Sequence, residues 1–164
     1  KEKQIMDMTT WLIAGFLSIA PISELRGAIP YALANGIPVA AAFGFCVAMN
    51  CFASLLYYFF LVTLHRLFYR IGLYRKIFDR FIEKTRKKVG PKIEKYGAAG
   101  LAVFVAIPLP VTGAITGTVG GWILGIEKRK LFPSVFAGVF IAGVIVTLIS
   151  YFGIEAFSFF TKEV

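Results

Sequence analysis
Two long stretches of this chain carry no charge, and they decide most of what it can fold into. Pro38 to Leu64 is 27 residues without Asp, Glu, Lys or Arg, and Leu131 to Ile154 is 24. A hydrocarbon core of roughly 30 Å is crossed by about 20 helical residues, so each stretch predicts a transmembrane helix. Tyr57, Tyr58 and Tyr151 stand where interface anchors are expected. The rest of the composition agrees. The 164 residues are 58% hydrophobic and 16% charged, and mean hydropathy is +0.76. So short a soluble chain could not bury that much apolar surface. A disordered chain, a collagen-like chain and a disulfide scaffold are excluded, and a soluble enzyme is disfavoured. Residues 1–164 therefore read as one membrane domain. A cleavable leader is not expected, because the first apolar run ends at the Pro21 to Arg26 motif rather than at small residues.

Two other apolar segments are broken. Thr9 to Ile37 is interrupted by Pro21, Glu24, Arg26 and Pro30. Tyr96 to Ile126 has no charge but contains Pro108, Pro110 and seven glycines. Each leaves half-length apolar arms around a Pro/Gly break, the pattern of a re-entrant helical hairpin. Non-helical backbone survives at membrane depth only where protein or water shelters it. The expected breaks are Pro21, Gly27 and Pro30 in the first segment, and Pro108, Pro110 and Gly113 in the second. Gly27-Ala28-Ile29 and Gly113-Ala114-Ile115 occupy similar places and suggest an internal repeat. The predicted fold class is thus all-α and integral to the membrane. It is an inverted repeat, each half a re-entrant hairpin followed by a span (9–64 and 96–154), with a basic linker over 65–95.

Charge sets the orientation. Eleven Lys/Arg and three Asp/Glu lie between Arg66 and Lys95, most of the net +9. Such a cluster between apolar runs marks a cytoplasmic loop of a multi-pass protein of the cell membrane, rather than a nucleic-acid surface. If Tyr96 to Ile126 enters and returns, Glu127 to Lys130 is also cytoplasmic. Within the linker, Ile77, Phe78, Phe81 and Ile82 form a helical stripe with Arg75, Lys76, Arg80, Lys84 and Lys87 largely off it. That predicts a basic amphipathic helix on the anionic leaflet, ended by Gly90-Pro91.

Glu24 and Arg26 are the only charges between Met8 and Leu64. An ionised side chain at membrane depth costs about 2.5–3.5 kcal/mol on insertion scales, so its presence suggests a function. Arg26 offers a planar fork to a phosphate or carboxylate. Glu24, in a cavity of low dielectric, is the candidate proton carrier. In the second break Thr112 and Thr116 fall at i, i+4 and could complete a substrate site. A helix starting near Gly113 would aim its positive end at an anion. Asn50 and Ser54 lie mid-span, where an Asn bonds a neighbouring helix or touches substrate. Thr112, Thr116 and Thr118 could bond freed carbonyls or a substrate, or bond back onto their own helix. His65 reads as an interface residue, and Cys46 and Cys51 are too poorly aligned to pair. No catalytic set, metal-ligand spacing or nucleotide fingerprint is present, so neither an enzyme nor a cofactor is expected.

At Glu24-Leu25-Arg26-Gly27-Ala28-Ile29-Pro30 and at Pro108-Leu109-Pro110 with Thr112-Gly113 the chain resembles the small multidrug export protein family. That family is similar in plan to the DedA/VTT superfamily of membrane transporters. The resemblance implies two inverted repeats of hairpin plus span, and roles for Glu24 and Arg26 in moving an anionic lipid such as polyprenyl phosphate, coupled to protons. It leaves the second hairpin without the arginines of DedA proteins. The functional expectation is a proton-coupled secondary transporter or flippase for an anionic amphiphile. Its alternatives are an exporter of small lipophilic cations and a non-transporting scaffold. So small a chain gives its hairpins little shelter from lipid, which suggests a homodimer.

Overall fold
A computed structural model describes residues 8–109 and 112–162. Among them are seven helices and no strand: α1 (Met8–Ile19), α2 (Glu24–Ala34), α3 (Val39–Thr63), α4 (His65–Phe68), α5 (Gly72–Ala106), α6 (Ala114–Ile123) and α7 (Lys128–Lys162). The two charge-free stretches become α3 and the first part of α7. Both are long and apolar enough to cross a membrane. Only 28% of the most apolar window of α3 and 39% of that of α7 is buried, so neither is the core helix of a soluble domain. Phe52, Phe59, Phe140 and Ile149 stand exposed on them, as a lipid-facing surface requires.

The broken segments become pairs of short helices. α1 has 12 residues and α2 has 11, about 18 and 16 Å at 1.5 Å per residue, and neither could cross a bilayer alone. The turn between them is Ala20 to Ser23. Gly27 and Pro30, expected as breaks, lie inside α2. The helix runs through Pro30 because only one bond, from residue 30 back to the Arg26 carbonyl, is lost there. Pro21, Pro108 and Gly113 do fall in non-helical backbone. Pro110 lies outside the described residues.

α5 is two helices joined at Gly97, whose φ of 56° and ψ of −136° are non-helical. Gly90-Pro91 was expected to end the basic helix, but the helix continues through them to this point. The second half of α5 then packs on α6 and α7. α7 lies at the centre and touches α2, α3, α5 and α6. Its approach to α5 is close. A Cβ at Gly138 would stand 2.6 Å from Val105 Cβ and 2.7 Å from the Ala102 carbonyl, so the backbones nearly touch, as small residues allow in membranes. Gly138→Val should therefore destabilise the fold by about 1–3 kcal/mol, read as a lower melting temperature in detergent. An unchanged melt would contradict this packing.

Helices α2 and α6 end alike. Ile37 N donates to Ala32 O and Gly36 N to Leu33 O, and Ile126 N to Gly121 O and Gly125 N to Trp122 O. Gly36 and Gly125 have φ of 82° and 71°, completing the same left-handed cap. These glycines are 89 residues apart, as are the first residues of α3 and α7 and the positive-φ residues Glu24 and Gly113. The Gly-Ala-Ile match of the sequence is 86 residues apart and out of this register. Gly27 is within α2, whereas Gly113 precedes α6.

The basic helix also differs from expectation. Its stripe faces protein. Phe78 is buried, and Phe81 and Ile82 pack beside it against Ile115, Val119 and Trp122 of α6 and Leu61 of α3. Ile77 stays 62% exposed. The apolar residues of α6 and α3 offer this stripe a partner that the sequence alone did not reveal. His65 sits in the same aromatic cluster, its ring 4.1 Å from Phe78 between centroids, with Nδ1 3.1 Å from the Tyr74 hydroxyl. Burial pushes its imidazole below the usual range, against the pull of Asp79.

Candidate functional site
The two breaks meet. Glu24 opens α2 directly after the first turn, with φ of 48°, a conformation that costs a non-glycine residue about 1–3 kcal/mol. This backbone points its carboxylate across to the second break, where Oε1 accepts the Ile115 N–H at 3.3 Å. Ile115 lies in the first turn of α6, so the carboxylate meets both a free donor and the positive end of the helix. A Cβ at Gly113 would overlap the Glu24 carboxylate, and Gly113 holds a φ of 147° that side chains avoid. Position 113 thus requires glycine for both space and backbone.

Arg26 makes the reciprocal contact. Its Nη1 donates to the Leu109 carbonyl, and Nη2 donates to the Thr112 carbonyl at 3.3 Å. The guanidinium ties down carbonyls that the second break frees from helical bonding. Glu24 and Arg26 form no ion pair with each other. The two ion pairs among the described residues, Arg75 with Asp79 and Lys87 with Glu83, lie on the basic helix. Each tip charge instead binds backbone of the opposite tip.

The remaining candidate residues divide. The Thr112 hydroxyl lies 2.5 Å from the Ile107 carbonyl and 2.8 Å from the Leu109 carbonyl, and accepts the Leu109 N–H at 3.0 Å. It closes the second turn locally. Because α6 starts only at Ala114, Thr112 and Thr116 do not share a helical face as the i, i+4 spacing suggested. Thr116 is buried on α6, and Thr118 bonds back to the Ala114 carbonyl at 2.6 Å. Asn50 is 1% exposed, and its Nδ2 donates to the Ser18 carbonyl at 2.7 Å, joining α3 to the end of α1. It also lines the crevice at the centre of the site together with Glu24, Arg26, Pro108, Gly113 and Val139. That crevice measures about 10 Å³, room for about one water. Cys46 and Cys51 are free thiols, and no group of His, Cys, Asp or Glu able to hold a metal occurs among the described residues.

Of the residues the sequence singles out, Glu24, Arg26 and Asn50 come together at this crevice. Sequence reasoning missed the partners of those charges, which are backbone atoms of Leu109, Thr112 and Ile115. Backbone groups leave no mark in a sequence beyond the prolines and glycines that free them. It also missed the packing of Phe81 near the tips, where the stripe was visible but its partner was not.

A family model described as "Putative small multi-drug export protein" matches residues 24–145. No curated protein and no solved structure matches the chain.

Proposed function
This chain belongs to the small multi-drug export protein family, and on that premise we propose that it exports small lipophilic cations across a membrane in exchange for protons. The description that the family model carries names export, which supports a transport reading. The observation that carries the substrate class is the pair of contacts at the tips. Arg26 donates to two carbonyls, and the positive end of α6 faces the chain's own Glu24. Both elements that the sequence offered to an anion therefore have an internal partner. Both charges line the crevice, but Arg26 has both η nitrogens engaged, whereas the Glu24 contact with Ile115 uses only Oε1. A carboxylate has acceptor capacity beyond one such bond, and it suits a cation. The anionic-lipid reading loses its two anchors.

In this reading the short helices α1 with α2, and the end of α5 with α6, are re-entrant hairpins. The 89-residue recurrence of the α3 and α7 starts and of the two glycine caps supports reading the chain as two repeats, which the transport reading takes as oppositely oriented. Broken helices meeting between two such repeats are a transporter architecture. The basic segment 65–95 faces the cytoplasm of a cell membrane. One carboxylate can hold a proton or a cation but not both, so proton binding on one side releases the substrate there. The water-sized crevice is the closed state between the two exposures.

The test uses purified protein in liposomes with an imposed pH gradient and tetraphenylphosphonium as the probe. Gradient-driven movement above that of protein-free vesicles is the expected result. Flux equal to empty vesicles would overturn the proposal, and transbilayer movement of a labelled anionic phospholipid in its place would restore the other substrate class.

A further inference from the structure
A second opening lies on the other side of the first turn. It is a groove of about 590 Å³ lined by Pro21, Ile22, Ser23, Arg26, Phe81 and Thr116, among others. This is within the size range of small-molecule sites. One wall is the turn and the start of α2, another is α6, and Phe81 brings in the basic helix. Ile22 is 93% exposed at its rim. The Ser23 hydroxyl is buried without a hydrogen-bond partner. It does not cap α2 either. A hydroxyl left in that state costs stability and needs an explanation. Ser23 is one of the residues that line the groove.

The basic helix that forms one wall has a joint at each end. Before it, the chain leaves helical structure at Tyr69 to Ile71. After it comes Gly97, where the chain turns through a left-handed φ and nothing lies within 4 Å of where a Cβ would stand. Packing does not require glycine there, but the backbone does. Between the joints the helix holds to α3 and α6 through the apolar residues Phe78, Phe81 and Ile82 and to the segment before it through Tyr74 with His65 and Asp79 with Tyr69, while Arg80, Lys84 and Lys87 are exposed.

We propose that this groove is the entrance by which a lipophilic ligand bearing a hydrogen-bond acceptor reaches the Glu24 crevice, and that the basic helix is its hinged wall. The proposal rests on the transport reading for its purpose but not for its test. The apolar part of the ligand lies against Ile22, Ile115 and Phe81, and its acceptor takes the Ser23 hydroxyl. Swinging the helix about Gly97 withdraws Phe81 and widens the path to Glu24.

The probe is dicyclohexylcarbodiimide, an apolar molecule with two acceptor nitrogens. The Glu24 carboxyl adds across its C=N bond, the proton passing to nitrogen, and the adduct is read as a mass increase on the peptide that contains Glu24. The protein carries Ile22→Cys and Phe81→Cys in a Cys46→Ala, Cys51→Ala background, and is bridged across the groove by a reducible bis-thiosulfonate. Bridging should slow Glu24 modification at least tenfold, and reduction should restore it. The singly substituted proteins, treated alike, should not slow. Phe81→Ala should speed modification, and Ser23→Ala should slow it while leaving the melting temperature unchanged or higher. Equal rates in bridged and reduced protein would overturn the proposal, as would equal rates in Phe81→Ala and the parent. Protection without any cation flux would leave the entrance standing and remove the transport reading. Flux that bridging does not alter would do the reverse.

Discussion
Glu24→Gln should lose proton-driven cation flux in liposomes while folding as the parent does. The amide oxygen of Gln can still accept the Ile115 N–H that Oε1 accepts at 3.3 Å, and the side chain keeps its volume beside Gly113. Stability should therefore stay within about 0.5 kcal/mol of the parent. What disappears is the charge. A charge-assisted contact contributes about 1.5–3 kcal/mol, which corresponds to roughly ten- to a hundredfold in affinity, and the neutral amide has no proton to exchange. Flux of the variant in a pH gradient should fall to the level of protein-free vesicles. Retained pH-driven flux would remove Glu24 from the mechanism. The strained φ of 48° at this residue supports the choice, since a residue held at such a cost commonly marks a functional position.

Arg26→Ala should act in the opposite way, through stability. Its guanidinium is the donor to the carbonyls of Leu109 and Thr112. The Leu109 carbonyl keeps the Thr112 N–H and hydroxyl, so the cost falls on the Thr112 carbonyl and on the tie between the tips, about 1–3 kcal/mol. The Glu24 contact with α6 depends on the same approach of the tips. The expected result is a fall in melting temperature in detergent. Arg26→Lys should recover part of the loss, because an ammonium lacks the planar fork that reaches two acceptors. From the sequence alone Arg26 is a free cation awaiting an anion, and its loss would spare the fold. A melt of Arg26→Ala equal to the parent would favour that view over the bracing role.

The spans could be read directly. Charge-free runs of this length have few other solutions, and α3 and α7 begin within a few residues of where the runs do. The half-length arms were also legible, from Pro21 and Pro108. Gly27 and Pro30 misled because a single proline or glycine is weaker than the helix around it. The basic helix misled for another reason. Its stripe was correctly placed at Phe78, Phe81 and Ile82, but an amphipathic pattern gives a face and no address. Here α6 and α3 take that face, where a leaflet was expected. The Gly-Ala-Ile match does not correspond in the structure, because Gly27 lies within α2 and Gly113 precedes α6. The likeness that the structure does show is that of Gly36-Ile37 and Gly125-Ile126, which end α2 and α6 with the same cap.

Local chemistry along the chain thus determined which segments are helical, which are long enough to span, and which two charges are too costly to be incidental. Those properties depend on neighbours within a few residues, so a linear reading reaches them. Tertiary structure alone decided that Glu24 faces the first turn of α6 and that Arg26 holds two carbonyls some eighty residues away. The partners are main-chain atoms common to every residue, and only folding determines which of them are left unpaired beside a charge.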